Sequence, residues 1–167
     1  MKPSKLNQSD FVQVFGGVYE HSPWVAETAW VQEDRDNFDS AKGLAAALSR
    51  AMRRADDGRK LALIRAHPDL AGKAALADEL TQESRTEQSG AGLDQCTRTE
   101  LADFTKLNNA YTQQFSFPFI IAVKGHNVRS ILAEFRRRLT HDKHQERAEA
   151  LRQIDRIAGY RIEEILA

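Results

Sequence analysis

Three places in this sequence hold side chains that could transfer a proton or bind an anion. The first is His67, which follows an apolar helical run and is followed at once by Pro68. The proline disfavours helical geometry at the histidine and restricts where the ring can point. Because an imidazole takes up and releases protons near neutral pH, His67 is a candidate general acid or base. The alternative is a structural histidine whose ring bonds the last carbonyl groups of the helix.

The second place is residues 84–88, which read SRTEQ. Ser84 and Glu87 have the spacing of a capping box, which would explain them by helix initiation alone. The functional alternative is a polar cluster in which Glu87 orients or ionises a histidine. In that cluster Gln88 could both donate to and accept from an amide-rich ligand.

The third place is Arg161, which lies four residues after Ile157 and four before Ile165. This spacing puts a guanidinium on or beside the apolar stripe of the last predicted helix. Such a group must be paired with an anion or reach out to water. A buried carboxylate of the protein is one partner, and the carboxylate of a substrate is the other, since arginine binds carboxylates with two parallel hydrogen bonds.

The elements that position these side chains are predicted to be helices. Apolar residues recur at spacings of three and four, which indicates amphipathic helices; the clearest stripe is Leu101, Phe104, Leu107, Tyr111 and Phe115. We place the first helix after Ser9-Asp10, and a capping box, Thr97 to Glu100, opens the helix of the clearest stripe. The prediction is an all-α fold, a bundle of about eight helices in a single domain over residues 1–167.

One stretch interrupts the helical pattern. Residues 117–123 read FPFIIAV, without a polar side chain, and end at Lys124-Gly125. The length and the β-branched residues favour a short buried extended segment over residues 117–124. No other stretch reads as a partner strand, so its backbone groups need other partners. Neighbouring helix ends, water or an amide-like ligand could supply them, and a plain buried linker is the simpler interpretation.

The composition narrows the class of protein. The chain has 167 residues with 24 basic and 24 acidic side chains, which gives no bulk attraction for nucleic acid or for an anionic membrane. A single cysteine, Cys96, cannot form an intrachain disulfide, which favours a reducing compartment. No apolar stretch approaches the about 18 residues of a membrane helix. We expect neither a secretory signal nor a peroxisomal Ser-Lys-Leu signal at Ile165-Leu166-Ala167, and hence a cytoplasmic protein.

Two further patterns have structural explanations. His141-Asp142 is similar to the dyad of metal-dependent HD phosphohydrolases, but Asp142 and Gln145 have the spacing of a helix N-cap, which we prefer. The run Arg136-Arg137-Arg138 is expected to form a solvated helix face. The sequence lacks a glycine-rich phosphate loop, a zinc-binding spacing of cysteine and histidine, and a nucleophile elbow. The remaining rival is a non-catalytic helical interaction module.

Four motifs in order resemble one known family. They are His67-Pro68-Asp69-Leu70-Ala71-Gly72, Ser84-x-x-Glu87-Gln88 with Gly90-Ala91-Gly92-Leu93, residues 117–125, and Ile157-Ala158-x-x-Arg161. Together they resemble the 2-oxo-4-hydroxy-4-carboxy-5-ureidoimidazoline (OHCU) decarboxylases of the ureide pathway. The resemblance runs from about Phe11 to the end of the chain, with no departure at the matched positions. His-Pro alone would be a weak signal, whereas four motifs in register are specific.

The resemblance implies an all-helical, cofactor-free and usually homodimeric enzyme of urate degradation, without a metal. It implies that OHCU, a small molecule formed by hydrolysis of 5-hydroxyisourate, is decarboxylated to (S)-allantoin. His67 matches the catalytic histidine, and we predict that Glu87 orients it. The substrate-binding positions that the resemblance implies are Pro68, Ser84, Arg85, Thr86, Glu87, Gln88, Phe119, Ile120, Ile121, Ala122, Val123 and Arg161.

Overall fold

The computed structural model describes residues 1–71 and 80–167, and within them the chain is helical without a strand. The described part has eight α-helices: α1 (Gln8–Phe15), α2 (Trp24–Gln32), α3 (Ala41–Arg53), α4 (Asp57–Arg65), α5 (Gln82–Gly90), α6 (Arg98–Phe115), α7 (Val128–Arg138) and α8 (Lys143–Leu166). Three short 3-10 helices cover Pro3–Lys5, Arg35–Asn37 and Leu93–Gln95. The all-α prediction is therefore confirmed. Gly72, the last residue of the first matched motif, lies outside the described residues.

Most helices begin at a side chain that accepts a hydrogen bond from the first turn. At α6 the predicted capping box is present: Thr97 accepts from the Glu100 N–H, and Glu100 accepts from the Thr97 N–H. The start of α1 differs from the prediction, because Asn7 is the N-cap and the helix begins at Gln8. Several neighbouring residues there can act as caps, so periodicity alone does not choose among them.

The described residues divide into two compact units. One comprises Met1–Ala66 with Ile154–Ala167, and the other comprises His67–Gln153, so the division falls inside helix α8. The single domain over residues 1–167 stays a prediction.

In the first unit, helices α1 and α2 and the turn after the second 3-10 helix contribute an aromatic core. The rings of Phe11 and Phe38 stack with their centroids 5.0 Å apart, and Trp30 lies against Phe11 at 5.2 Å. The last turns of α8 join this unit through Asp155. Its carboxylate accepts from Tyr19 Oη at 2.7 Å and pairs with Arg53 Nη2 at 2.7 Å.

In the second unit, the core is formed by α6, α7 and the segment between them. Phe119 of the segment stacks on Phe135 of α7 at 3.9 Å and meets the ring of Tyr111 of α6 edge-on at 5.4 Å. Residues 118–123 have neither helix nor strand, and all except Pro118 are buried, which confirms the central part of the segment predicted over residues 117–124. Its predicted ends differ, because residue 117 lies in a bend and Lys124 is exposed in a turn. The segment is therefore part of the core rather than a surface loop.

None of the described helices combines the length and the apolar character that crossing a bilayer demands.

Candidate active site

His67 lies in a buried turn just beyond helix α4. The helix ends at Arg65, and the histidine is 8% exposed, two residues further on. Leu70 and Ala71 are buried as well, and Pro68 is half-buried. Ala71 has φ of +49°, in the left-handed region that residues with a Cβ atom adopt only rarely. Burial also raises the pKa of the Asp69 carboxyl above its ordinary value. The turn is thus a tight, largely dry structure with an imidazole in it.

Two buried amide side chains hold one peptide group of this turn. Gln88 Oε1 accepts from the Ala71 N–H at 3.2 Å, and Asn108 Nδ2 donates to the Leu70 carbonyl at 3.0 Å. Both bonds are made to the peptide linking Leu70 and Ala71, so its orientation is set from both ends. Among the predicted residues, Gln88 is thereby brought to the His67 turn. Asn108 was missed, since one polar residue within the stripe of α6 gives no distinguishing signal.

Helix α5 presents the polar cluster of residues 84–88. Its N-cap is Thr81, whose side chain accepts from the Ser84 N–H at 3.1 Å, so the interpretation of Ser84 as the cap is wrong. Ser84 and Gln88 are buried and Glu87 is half-buried. These positions lie three or four residues apart, which places them on one face of the helix.

The other two residues of the cluster point elsewhere. Arg85 and Thr86 are exposed, and Thr86 Oγ1 donates to the Gln82 carbonyl of its own helix at 2.9 Å. Their predicted contact with a substrate stays a prediction.

The backbone of the extended segment is bonded by two helix side chains. Arg138 Nη1 donates to the Ile120 carbonyl at 2.5 Å, and Gln153 Oε1 accepts from the Ala122 N–H at 2.9 Å. The sequence suggested helix ends, water or a ligand as partners, and did not indicate these side chains. Gln153 is 8% exposed and lies in α8.

The prediction that Arg138 lies on a solvated helix face is wrong. Its side chain is 1% exposed and pairs with Glu146 at 2.8 Å, while its Cζ lies 4.3 Å from the centre of the Phe119 ring. Glu146 also accepts from Tyr111 Oη at 2.6 Å and lies 2.9 Å from His141 Nδ1. A triple arginine resembles a charged surface in sequence, and only the fold reveals that the third arginine turns inward.

Helix α6 contacts both the His67 turn and the extended segment. Asn108 bonds the Leu70 carbonyl, and Tyr111, three residues later, packs on Phe119. Residues three apart lie on the same helix face. One face of α6 therefore supports two of the predicted site segments within a single helical turn.

Arg161 belongs to the other unit and has a protein carboxylate as partner. Its Nη2 lies 3.0 Å from Glu20 Oε2, and both side chains are almost fully buried. Its Nη1 donates to the Gly17 carbonyl at 3.3 Å. This is the structural alternative considered for Arg161, and its contact with a substrate stays a prediction.

The residues of the HD-like dyad have structural roles. Asp142 Oδ1 accepts from the Gln145 N–H at 2.8 Å, and Gln145 Oε1 accepts from the Asp142 N–H at 3.0 Å, which confirms the predicted N-cap of α8. Within residues 1–71 and 80–167, no three side chains of the metal-ligating types are grouped around one point.

Comparison with known proteins assigns the family. The sequence model described as OHCU decarboxylase matches residues 4–163. A relative from Halalkalicoccus jeotgali, named 2-oxo-4-hydroxy-4-carboxy-5-ureidoimidazoline decarboxylase, is 39% identical over 163 residues, covering 96% of this chain and 89% of the relative.

Two solved structures share the fold. One, titled as the crystal structure of (S)-allantoin synthase, aligns with a TM-score of 0.77 at 30% identity over 98% of this chain, which spans 52% of that protein. An OHCU decarboxylase crystallised with (S)-allantoin aligns with a TM-score of 0.68 at 17% identity, over 86% of this chain and 90% of that one. The fold and the match over most of the chain define a helical carboxy-lyase. The chain belongs to the OHCU decarboxylase family.

Proposed function

We propose that this protein decarboxylates OHCU to (S)-allantoin without a cofactor. The observation that carries the proposal is the buried His67 in a turn whose peptide group is held by Gln88 and Asn108. A fixed imidazole in a dry environment is what stereospecific proton delivery requires. The proposed reaction is the one that the family name describes. His67 in this turn is a group able to transfer the proton that the reaction requires.

The reaction requires the protein to position the substrate and to supply a proton. The bond between the ring carbon and its carboxylate breaks, carbon dioxide leaves, and the electron pair enters the adjacent C=N bond of the substrate. The electrons of that C=N bond move to its nitrogen, which takes up a proton, and a double bond forms between the two ring carbons. The second ring carbon, which bears the ureido group, is then protonated on one face, while the hydroxyl group of the first loses its proton and becomes a carbonyl, which gives a single enantiomer. Because the substrate holds its own electron sink, an external sink such as pyridoxal phosphate is unnecessary.

Three side chains have proposed roles in this reaction. His67 transfers the proton, and Glu87 orients the imidazole and favours its protonated form. Arg161 orients an anionic or carbonyl group of the substrate. A guanidinium that bound the leaving carboxylate too tightly would stabilise the ground state, so orientation is the more useful role.

Gln88 and the extended segment would bind the ureido and ring amides. Gln88 Oε1 is occupied by the Ala71 N–H, whereas Gln88 Nε2 makes no hydrogen bond within the described part of the chain. We therefore assign Gln88 the role of a donor to a substrate carbonyl. This is narrower than the role of donor and acceptor that the residue type alone allows.

The test is a coupled assay with the purified chain. OHCU is generated in place from urate by urate oxidase and hydroxyisourate hydrolase, and (S)-allantoin is followed by circular dichroism. We expect His67→Ala to lower the rate by about 10²–10⁴-fold because the proton donor is lost. The matched control is His144→Ala, which removes an exposed histidine of the same unit and should leave the rate unchanged.

Two results would contradict the proposal. The first is wild-type protein that forms (S)-allantoin no faster than spontaneous decay does, which would refute the reaction. The second is a folded His67→Ala variant with near wild-type rate, which would refute the role of the histidine.

The assembly and the compartment are also proposals. We propose a homodimer, by resemblance to the family, and a reducing cytoplasmic environment, from the single cysteine. Sedimentation equilibrium at micromolar concentration tests the first, and a monomer would contradict it.

A further inference from the structure

Two hydrogen bonds fix the extended segment from helices α7 and α8. Arg138 binds the carbonyl of Ile120, and Gln153 binds the N–H of Ala122, two residues along the chain. Neither bond involves a side chain of the segment. Besides the ring contacts of Phe119, two polar residues outside the apolar motif therefore hold the segment.

Arg138 is held in a single orientation. Its Nε donates to Glu146 at 2.8 Å, and its guanidinium lies on the ring of Phe119. With these two contacts made, Nη1 reaches the Ile120 carbonyl. A buried cation is costly unless it is paired, and Glu146, which is 0% exposed, supplies the compensating charge. The guanidinium is thus a rigid donor rather than a mobile one.

The side-chain amide of Gln153 is also held in one orientation. Its Nε2 donates to Glu149 Oε1 at 2.7 Å, one turn earlier in α8. A carboxylate only accepts hydrogen bonds, so the amide nitrogen must face Glu149 and the amide oxygen must face Ala122. Burial alone would raise the pKa of Glu149, but hydrogen bonds from Gln153 and Arg152 outweigh it and hold the pKa below its ordinary value. Glu149 therefore stays an acceptor at neutral pH.

Other backbone groups of the segment have no partner among the described residues. Phe119 is 1% exposed and Ile121 is 5% exposed. Within residues 1–71 and 80–167, no hydrogen bond reaches the backbone N–H or C=O of either residue. Buried backbone groups are paired in the great majority of cases. Those of Phe119 and Ile121 can therefore pair with an amide-rich ligand, while Ile120 and Ala122 bond to the protein.

We propose that Arg138 and Gln153 are positioning residues of the substrate site. They hold Ile120 and Ala122 so that the backbone groups of Phe119 and Ile121 are presented to the ureido and ring amides. The inference rests on the proposed function, because it concerns how the same substrate is bound. It adds two residues to the site that the four motifs do not contain.

The test uses two substitutions of Gln153 with opposite expectations. Gln153→Met removes the acceptor for the Ala122 N–H with little change of size, and we expect KM to rise about tenfold with kcat within about threefold. Gln153→Glu keeps an acceptor oxygen but places a carboxylate one turn from Glu149. We expect it to lower the melting temperature while KM stays near wild type.

The two readouts separate positioning from stability. A purely structural role would make KM follow the melting temperature in both variants. The matched control is Gln114→Met, which removes an exposed bond to the Leu139 carbonyl in the same unit and should leave KM unchanged. The affinity for (S)-allantoin, measured by titration calorimetry, should weaken in Gln153→Met by a factor similar to the rise in KM.

Each outcome decides for or against the inference. A folded Gln153→Met variant with wild-type KM and wild-type affinity for (S)-allantoin would overturn the inference. An equal rise of KM in Gln153→Glu and Gln153→Met would overturn it as well. If Gln153→Met does not fold, Gln153→Ala removes the same oxygen and is judged by the same criteria. Inactive wild-type protein would instead refute the proposed function, so the two failures are distinguishable.

Discussion

At the scale of single residues, buried amide side chains bond the backbone of the candidate site. Gln88 and Asn108 hold the peptide between Leu70 and Ala71. The left-handed conformation of Ala71 is disfavoured for alanine, so the turn depends on contacts of this kind. The peptide that Gln88 and Asn108 hold begins three residues beyond His67, so we expect them to restrict the turn that contains the histidine.

Asn108→Ala should destabilise the protein by about 1–3 kcal/mol, because the buried Leu70 carbonyl would lose its donor. Urea unfolding at neutral pH measures this change. Asn109→Ala, an exposed neighbour in the same helix, is the control and should change the free energy of unfolding little. An Asn108→Ala variant as stable as the wild type would show that the Leu70 carbonyl does not need this bond.

At this scale, the sequence predicts the role of a residue in a local motif better than that of a residue whose partners lie far along the chain. His67 and Gln88 were predicted because each belongs to a local motif. Arg138 was not, because its partners are a glutamate eight residues away and a carbonyl 18 residues away. Periodicity reports which side of a helix a residue occupies, but not which carboxylate or carbonyl the fold brings to it.

At the scale of elements, helix α5 has nine residues, and four of them are of types that weaken a helix interior. It contains serine, threonine and Gly90, and none of these residue types favours a helix interior. The bond from the Ser84 N–H to the Thr81 side chain therefore contributes much of its local stability. Ser84 and Gln88 depend on this helix for their positions.

Thr81→Ala should cost about 1 kcal/mol, the usual effect of losing an N-cap, whereas Thr81→Ser should retain most of the stability. Amide hydrogen exchange reports the effect locally, and we expect faster exchange over residues 82–90 in the alanine variant. Equal exchange in the alanine and serine variants would mean that the hydroxyl is not the stabilising group.

The sequence predicts the existence of these elements better than their ends. The clearest stripes predict their helices, and the capping box predicts the start of α6 correctly because threonine and glutamate form both of its bonds. At α5 the spacing of Ser84 and Glu87 predicts a cap at Ser84. The structure uses Thr81, and Ser84 is a buried residue of the first turn. Choosing between such caps requires knowing which face packs against the core.

At the scale of the whole molecule, equal numbers of basic and acidic side chains are spread over both units. Several form ion pairs between helices. Glu33, which follows α2, pairs with Arg50 at 3.0 Å and Arg54 at 2.7 Å, both from the region of α3. Burial alone would raise the pKa of Glu33, but the two arginines outweigh it and hold the pKa below its ordinary value of 4.5.

A depressed carboxyl pKa means that ionised Glu33 stabilises the folded state. This contribution is complete above the unfolded value near 4.5 and is lost as pH falls through the lower folded value. Glu33→Gln should therefore destabilise the protein at neutral pH, and its difference from wild type should shrink below about pH 4. Urea unfolding over a pH series measures this, with Glu27→Gln of α2 as an exposed control. A difference that does not depend on pH would contradict the assignment.

The backbone bonds of the extended segment also bear on how activity is inferred for distant relatives. A relative could keep every residue of the identifying motif, residues 117–125, and still lack the donor to the Ile120 carbonyl. That donor is Arg138, which lies 18 positions after Ile120. Such a paralogue would still be classified with the family, yet we expect it to bind substrate poorly. Position 138, together with position 153, is therefore a useful second criterion when active members are sorted from inactive descendants.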